Sequence, residues 1–509
     1  MRKPRFPSSA PIKHLEDEER KGLLASEDNV DHLDDVQDLE PQPWSKKKLI
    51  LVASIFIALL VSGSFARYWL LPPPPRHGGS TGDLFSNGTH EFKRTVLIVS
   101  IDGLRADYLD RGLTPHLLDI SKRGLRAKSM VPIFPTLTFP NHWALMTGLH
   151  AESHGIVANN FWDPVTDTEF HYNRIESCWI PSWWYGEPMW ETAEKAGVIT
   201  ANLMWPGPPQ TTAGTGSTYF VPWKDKTPLG VKLDQIMDWI DLPLQERPQL
   251  IMAYEPSLDQ AGHLTGPMSA LVNKTLVEVD VFARDLHTEL ELRNLTDIVD
   301  IVFVSDHGMT DTSHPDLIYM DDILGDQAMS EIEHIDGWPS WGIRFSSPTN
   351  VSRHLAVLNK AAEENPEKFS VYTKESMPER YHFSKNERIA PLYVIPNIGY
   401  VLTTRKEGDT GMSKGNHGYD NQEPSMHAMF VAHGPFAAVA KAQHQQRSSG
   451  LLARALGIPP KGWYSTSDDA FIMDSFANVE IYNLVMILLG LEATAAPTNG
   501  TLGFWDMYL

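Results

Sequence analysis

Thr95-Val96-Leu97-Ile98-Val99-Ser100-Ile101-Asp102-Gly103 is a short apolar run that ends on a carboxylate and a turn residue. Its residues do not alternate between polar and apolar. A strand of this kind must be buried on both faces, as in a parallel sheet with helices above and below. Similar runs recur at Thr200 to Met204, Leu250 to Tyr254, Val299 to Val304, Gly399 to Thr403 and Ala428 to Ala432. Helix-like runs lie between or after them: Pro115 to Arg123, Met189 to Lys195, Met268 to Leu292 and Val479 to Leu489. This alternation predicts an α/β fold with a mostly parallel sheet covered by helices on both faces. No internal repeat or second linker interrupts it, so residues 92–509 read as one domain.

Ligands on such sheets bind beyond the carboxyl ends of the strands. Three carboxylates stand at such ends: Asp102, Asp259 in Asp259-Gln260-Ala261-Gly262-His263, and Asp306 in Ser305-Asp306-His307-Gly308-Met309. Asn416-His417-Gly418-Tyr419 adds a further histidine. Pro135-Thr136-Leu137-Thr138-Phe139-Pro140-Asn141-His142 places the Thr138 hydroxyl on a proline-bracketed turn, ahead of the helix-like run Trp143 to Leu149. A threonine hydroxyl is a weak nucleophile unless a base, a helix N-terminus or a metal activates it. No Ser/His/Asp triad spacing accompanies it.

Three carboxylates and three histidines suit Zn²⁺, and less tightly Mn²⁺ or Mg²⁺. Asp259 and His263 are four apart, so one helical turn or a compact loop aims both at one ion. Asp306 and His307 are adjacent and share an ion only in a tight turn, which Gly308 permits. Two such ions clamp the attacking and leaving oxygens of an in-line phosphoryl displacement. Each piece alone has a plainer reading: a turn, a solvated helix face, a strand end. Their common position after apolar runs favours a single site.

The chain has 509 residues and a formal net charge of -21. That balance argues against nucleic-acid binding through a basic surface, and against adhesion to an anionic membrane. It leaves a phosphate substrate open, because bound cations dominate their local field. The single cysteine, Cys178, cannot form an intrachain disulfide, so a metal must rest on N and O ligands.

Residues 1–48 are polar and charged and read as a disordered cytoplasmic tail. Within them Glu19-Arg20-Lys21-Gly22-Leu23-Leu24 resembles an acidic dileucine sorting signal. Leu49 to Ala66 carries no charge, and residues 49–71 are long enough to span a bilayer. Lys46, Lys47 and Lys48 keep the N-terminus cytoplasmic, giving a type II signal anchor; a cleaved signal peptide is the alternative. Residues 72–91 form a Pro/Gly-rich stalk. Five N-x-S/T sequons follow, at Asn87, Asn273, Asn294, Asn350 and Asn499, all on the expected outer side. The expectation is a single-pass membrane glycoprotein whose catalytic domain faces outward or into a vacuole/lysosome-like lumen.

Taken together, Asp102-Gly103-Leu104-Arg105-Ala106-Asp107, Pro135 to His142, Thr147-Gly148-Leu149, Glu152-Ser153-His154-Gly155-Ile156 and the later Asp/His blocks resemble the nucleotide pyrophosphatase/phosphodiesterase family of the alkaline phosphatase superfamily. The likeness runs from about Arg94 to Gly503. It implies two zinc ions per chain: Asp259, His263 and His417 on one, Asp102, Asp306 and His307 on the other, with Thr138 as metal-bound nucleophile. It assigns phosphate binding to Asn159 and nucleobase stacking to Phe139. Trp183, Trp184, Tyr185 and Trp190 either extend that aromatic wall or pack the core. Arg105 and Asp107 are read as support for the segment after Asp102, and His142, His154 and His427 as structural.

The chain departs from familiar animal members in lacking Cys-rich modules, a nuclease-like domain and a disulfide framework. Leu137 stands where several members place Lys. The implied reaction is hydrolysis of a nucleotide pyrophosphate or phosphodiester bond through a covalent Thr-nucleotidyl intermediate. Lysophospholipid or choline-phosphodiester hydrolysis, and an inactive glycoprotein binding module, are the alternatives.

Overall fold

The computed structural model describes residues 45–47, 54–55, 82–447, 461–464 and 471–509, apart from the side chains of 348–350 and 446–447. Nearly all of the expected tail and of the 49–71 span, and the first part of the stalk, lie outside the described residues. Among the described residues, no helix is long and apolar enough to cross a membrane. The described residues from 82 onward form one compact unit.

The central sheet contains β1 (Thr95–Ile101), β2 (Leu125–Ala127), β3 (Thr200–Leu203), β4 (Tyr219–Val221), β5 (Leu250–Glu255), β6 (Val299–Val304), β7 (Phe430–His433) and β8 (Ile472–Met473). Their spatial order is β8-β2-β7-β6-β1-β5-β3-β4. The run that opened the reading lies in the middle, parallel to β5 and β6. Every residue of β1 is buried. Val96 and Ile98 enter one core cluster, Leu97, Val99 and Ile101 the other. The helices Met189–Lys195 and Ile481–Leu489 contribute to the first core, Pro115–Arg123, Leu229–Ile240 and Ala270–Leu292 to the second. Each fully buried Val, Leu or Ile contributes about 1.5–3 kcal/mol, so a one-residue slip of β1 between its neighbours is strongly disfavoured.

Two strand expectations change. β7 runs antiparallel to both β6 and β2, which makes the sheet mixed. The Gly399 to Thr403 run supplies the strand Tyr400–Thr403, which among the described residues pairs with Asp316–Tyr319 in a two-stranded sheet apart from the central one. A short apolar run does not say which sheet receives it. A separate four-stranded antiparallel sheet, in the order Ile332–Asp336, Trp341–Phe345, Leu392–Pro396, Phe369–Thr373, has its own core.

Arg388 ties the loop after Tyr381 to the segment that carries the aromatic wall. Its Nε lies 2.9 Å from Asp163 Oδ2, and Nη1 donates to the carbonyls of Gly155 and Trp183. Both charged side chains are buried. Breaking a buried pair on one side leaves an uncompensated charge, so Arg388→Ala is expected to cost about 3–5 kcal/mol. Chemical denaturation of the two proteins measures that difference.

Candidate active site

The strand register gathers the carboxylates. Ile101 lies opposite Glu255, and Ser100 opposite Val304. Continuing each strand past its end brings Asp102 and Asp306 level with one another. Asp259 follows in the first turn of helix α2 (Ser257–Thr265), which opens directly after β5. Gly103 makes their approach possible. Its φ is 69°, its N–H donates to Asp306 Oδ1 at 3.2 Å, and a Cβ there would stand 3.1 Å from the Cα of Asp259.

Thr138 does not sit in a turn ahead of a helix. It is the first residue of helix α1 (Thr138–Thr147), which starts five residues earlier than the Trp143 to Leu149 reading. Pro140 is tolerated in that first turn because N–H groups there have no intrahelical acceptor. The loop before it is held from within the helix: Asn141 Nδ2 donates to the carbonyls of Pro135 and Leu137, and its Oδ1 accepts from the Ile133 N–H. Thr138 Oγ1 lies 3.1 Å from His307 Nε2.

All three expected histidine ligands are aimed in the same way. His263 Nδ1 donates to the carbonyl of Gly415, His307 Nδ1 to Gly308 and His417 Nδ1 to Thr136, each at 2.8 Å. A carbonyl only accepts, so each Nδ1 carries a proton and each ring turns its Nε2 into the pocket, the nitrogen that a cation would take. His263 Nε2 and His417 Nε2 are 3.1 Å apart. Two lone pairs at that distance repel unless a cation or proton lies between them. Asp259 flanks the pair, with Oδ2 3.4 Å from His263 Nε2 and Oδ1 3.6 Å from His417 Nε2. His307 Nε2 lies 3.0 Å from Asp306 Oδ2 and 3.5 Å from Asp102 Oδ1.

The electrostatics call for positive charge. Burial, then the charges of Asp306 and Asp259, push the Asp102 carboxyl well above the usual range. Burial likewise raises Asp259, against the pull of His263 and His307. Burial opposes ionisation of Asp306 too, but His307 and His142 outweigh it and hold that group low. Asp102 Oδ1 and Asp259 Oδ1 are buried without hydrogen-bond partners. Two ligand sets have donor atoms within 4.8 Å of one another: Asp259, His263 and His417; and Asp102, Asp259 and His307. Orphaned carboxylate oxygens and converging imidazole lone pairs are what a divalent cation needs. The residues of each set therefore fit a divalent cation; Asp259 belongs to both sets, whereas Asp306, expected in the second, is not part of it.

Two neighbours were not legible as site residues. Tyr254, the penultimate residue of β5, donates its hydroxyl to Asp102 Oδ2 at 2.5 Å. His142, read as structural, puts Nδ1 3.3 Å from Asp306 Oδ2 and 2.9 Å from the Thr138 carbonyl, while Nε2 meets Ser100 Oγ at 2.9 Å. Its spacing of four from Thr138 was the available signal, since it puts both on one face of a helix. Tyr254→Phe is expected to lower metal affinity at the Asp102 position about 10-fold or more, the usual cost of an outer partner. Metal content in graded free-zinc buffers would register it.

At the mouth, the Phe139 N–H holds Asn159 Oδ1 at 3.0 Å, which leaves Nδ2 as the donor. Phe139 meets Tyr172 with ring centroids 5.4 Å apart, and Phe170 and Trp184 at 6.2 and 6.1 Å. Tyr172, absent from the sequence reading, is 40% exposed. Trp183, Trp184 and Trp190 are buried and belong to the core; Tyr185 is exposed, with Arg388 over its ring. Arg105 forms a double hydrogen bond to Asp107 and donates to the Met309 carbonyl, a supporting role. His154 accepts from the Ile156 N–H, and His427 pairs with Ser129.

Gly308 serves by close approach rather than by backbone twist, for a Cβ would stand 2.1 Å from the Ser425 carbonyl oxygen. Among the sequons, Asn87 Nδ2 donates to the Arg293 carbonyl, and Asn294 Nδ2 to that of Asn87. Asn273 Oδ1 accepts from Arg111, and Asn499 Oδ1 from the His150 N–H. Asn350 lies in the helix Pro348–Glu364.

The profile of the family described as type I phosphodiesterase / nucleotide pyrophosphatase matches residues 96–420. An uncharacterized pyrophosphatase/phosphodiesterase of Schizosaccharomyces pombe is 37% identical over 467 residues, covering 90% of this chain and 89% of the relative. Human ectonucleotide pyrophosphatase/phosphodiesterase family member 1 is 33% identical over 416 residues, covering 80% of this chain and 41% of the relative. The chain thus spans under half of that human protein. The structure of murine ectonucleotide pyrophosphatase/phosphodiesterase 5 matches with a TM-score of 0.68 and 30% identity, covering 81% of this chain and 100% of the murine one. A second murine structure is described as an inactive threonine-to-alanine variant in complex with AMP.

Proposed function

Because the chain belongs to the type I phosphodiesterase/nucleotide pyrophosphatase family, within the alkaline phosphatase superfamily, we propose that this hydrolase uses Thr138 to cleave nucleotide pyrophosphate and phosphodiester bonds. The observation that carries the reading is the Thr138 hydroxyl at 3.1 Å from His307 Nε2, beside buried carboxylates that lack partners. Asp259, His263 and His417 would hold one zinc, and Asp102, Asp306 and His307 the other, with Asp259 in reach of both. Zinc bound there would supply Lewis-acid stabilisation of phosphoryl oxygens and favour the deprotonated hydroxyl.

Thr138 Oγ1 forms the bond to the α-phosphorus of a nucleoside triphosphate, and diphosphate leaves with the electron pair of the broken P–O bond. Water then cleaves the Thr138 ester, releases the nucleoside monophosphate and restores the hydroxyl. The start of α1 fixes Thr138 in place, so little reorganisation is needed at the moment of attack. Asn159 Nδ2 donates to a non-bridging oxygen. Asn159→Ala is expected to lower kcat about 10²–10³-fold, as for loss of one preorganised donor. Steady-state kinetics with a nucleoside triphosphate would measure it.

Phe139 and Tyr172 offer aromatic faces to the substrate, which suits a nucleobase. A choline group also favours such faces. Competition between ATP and a choline phosphodiester on the purified protein separates the two, and the nucleotide reading requires ATP to win. Rapid acid quench followed by intact mass measurement should find a nucleotidyl adduct on Thr138; an unmodified chain at every time point would overturn the covalent step.

The tail 1–48, anchor 49–71, stalk 72–91 and catalytic domain 92–509 complete the proposal, with the catalytic domain lumenal or extracellular and its sequons glycosylated. The human relative carries the prefix of an ectonucleotide pyrophosphatase in its name, which supports that orientation. Changing Leu23 and Leu24 to Ala should shift a vacuolar protein to the surface; unchanged trafficking would discard the sorting signal.

A further inference from the structure

Thr136 stands two residues before Thr138, is fully buried, and directs its side-chain hydroxyl and its carbonyl at one distant segment. Its hydroxyl donates to the Tyr419 carbonyl at 3.0 Å and accepts from the Gly418 N–H at 2.8 Å. Its own carbonyl accepts from His417 Nδ1 at 2.8 Å. One residue therefore grips three successive positions, 417 to 419, through one side chain and one peptide. The grip is tight. Gly418 has a φ of 100°, and a Cβ on it would stand 2.7 Å from Pro339 Cδ and 2.9 Å from Leu137 Cδ2.

We propose that Thr136 is a positioning residue that aims His417 Nε2 at the Asp259/His263 pair and ties that metal position to the turn carrying Thr138. This rests on the reading that the pocket holds zinc. An imidazole is oriented by whatever its second nitrogen bonds, and here that acceptor is the Thr136 carbonyl. The carbonyl stays opposite Nδ1 only while the two chains keep their register, which the hydroxyl fixes with its two bonds. Without the hydroxyl, the Gly418 N–H and Tyr419 carbonyl lose their partners, and the segment has reason to shift toward others. The same shift moves the peptide next to Leu137, the residue before the nucleophile.

The test uses the full chain as wild type, Thr136→Ser, Thr136→Val and Thr136→Ala, with His417→Ala to mark the site. Each is equilibrated in graded free-zinc buffers and its zinc content measured. Wild type is expected to hold two equivalents. Thr136→Val and Thr136→Ala are expected to hold one where wild type holds two, with affinity at a single position lowered about 10–100-fold. Thr136→Ser keeps the hydroxyl and is expected to match wild type. Thr136→Ala added to His417→Ala is expected to cost no further zinc, because both act at one position. The alanine variant adds no bulk, so it serves if the valine variant fails to fold. Two equivalents of wild-type affinity in Thr136→Ala would overturn the proposal alone, and so would equal weakening of both positions. A wild type that takes up no zinc would overturn the zinc reading and this proposal with it.

Discussion

Thr138→Ala is expected to abolish turnover of a nucleoside triphosphate while leaving the zinc content at the wild-type level. On the proposed route, loss of the attacking oxygen removes both steps, and a catalytic nucleophile of this kind is worth on the order of 10⁴–10⁶-fold in kcat. The change should cost little else. Thr138 is a small residue in the first turn of a helix whose Trp143, Ala144 and Leu145 are buried. The loop before it is held by Asn141 rather than by Thr138 itself. Retention of a tenth or more of wild-type kcat would remove Thr138 from the chemistry.

Asp259→Ala is expected to have the next largest effect, and a different signature. Asp259 is the carboxylate that belongs to both ligand sets. Removing it takes a negative ligand from each position at once, where loss of His263 takes a ligand from only one. Cation stabilisation of phosphoryl transfer is worth several kcal/mol, so a fall of about 10³-fold or more in kcat/KM is expected. Zinc content should drop below one equivalent, against roughly one for His263→Ala. Two equivalents in Asp259→Ala would show that the carboxylate is not shared.

The sheet was legible because β1, β5 and β6 are mostly apolar without alternating, a pattern that burial on both faces accounts for, and all three are buried along their whole length. The positions of Asp102, Asp259 and Asp306 followed from the rule that strand ends carry the site. What stayed hidden depended on distant pairing. Nothing local in Phe430–His433 reveals that it runs against its neighbours. Tyr254 looked like one more apolar strand residue until its hydroxyl was seen on Asp102. Tyr172 lies in a polar stretch with no periodicity, and it reaches Phe139 only because Thr168–His171 pairs back on Asn160–Asp163. The start of α1 was misplaced because Pro140 looks like a helix breaker, although a first turn accepts it. The role of Thr136 could not be read at all, since its partners lie 282 and 283 residues away in the chain.

The most direct measurement is anomalous diffraction above and below the zinc edge from crystals of the catalytic domain grown with zinc and a nucleoside monophosphate. The account predicts two zinc peaks, one among Asp259, His263 and His417 and one among Asp102, Asp306 and His307, with the phosphate of the monophosphate beside Thr138 Oγ1. Well-ordered crystals with no zinc among these residues, or with the phosphate bound away from Thr138, would contradict it.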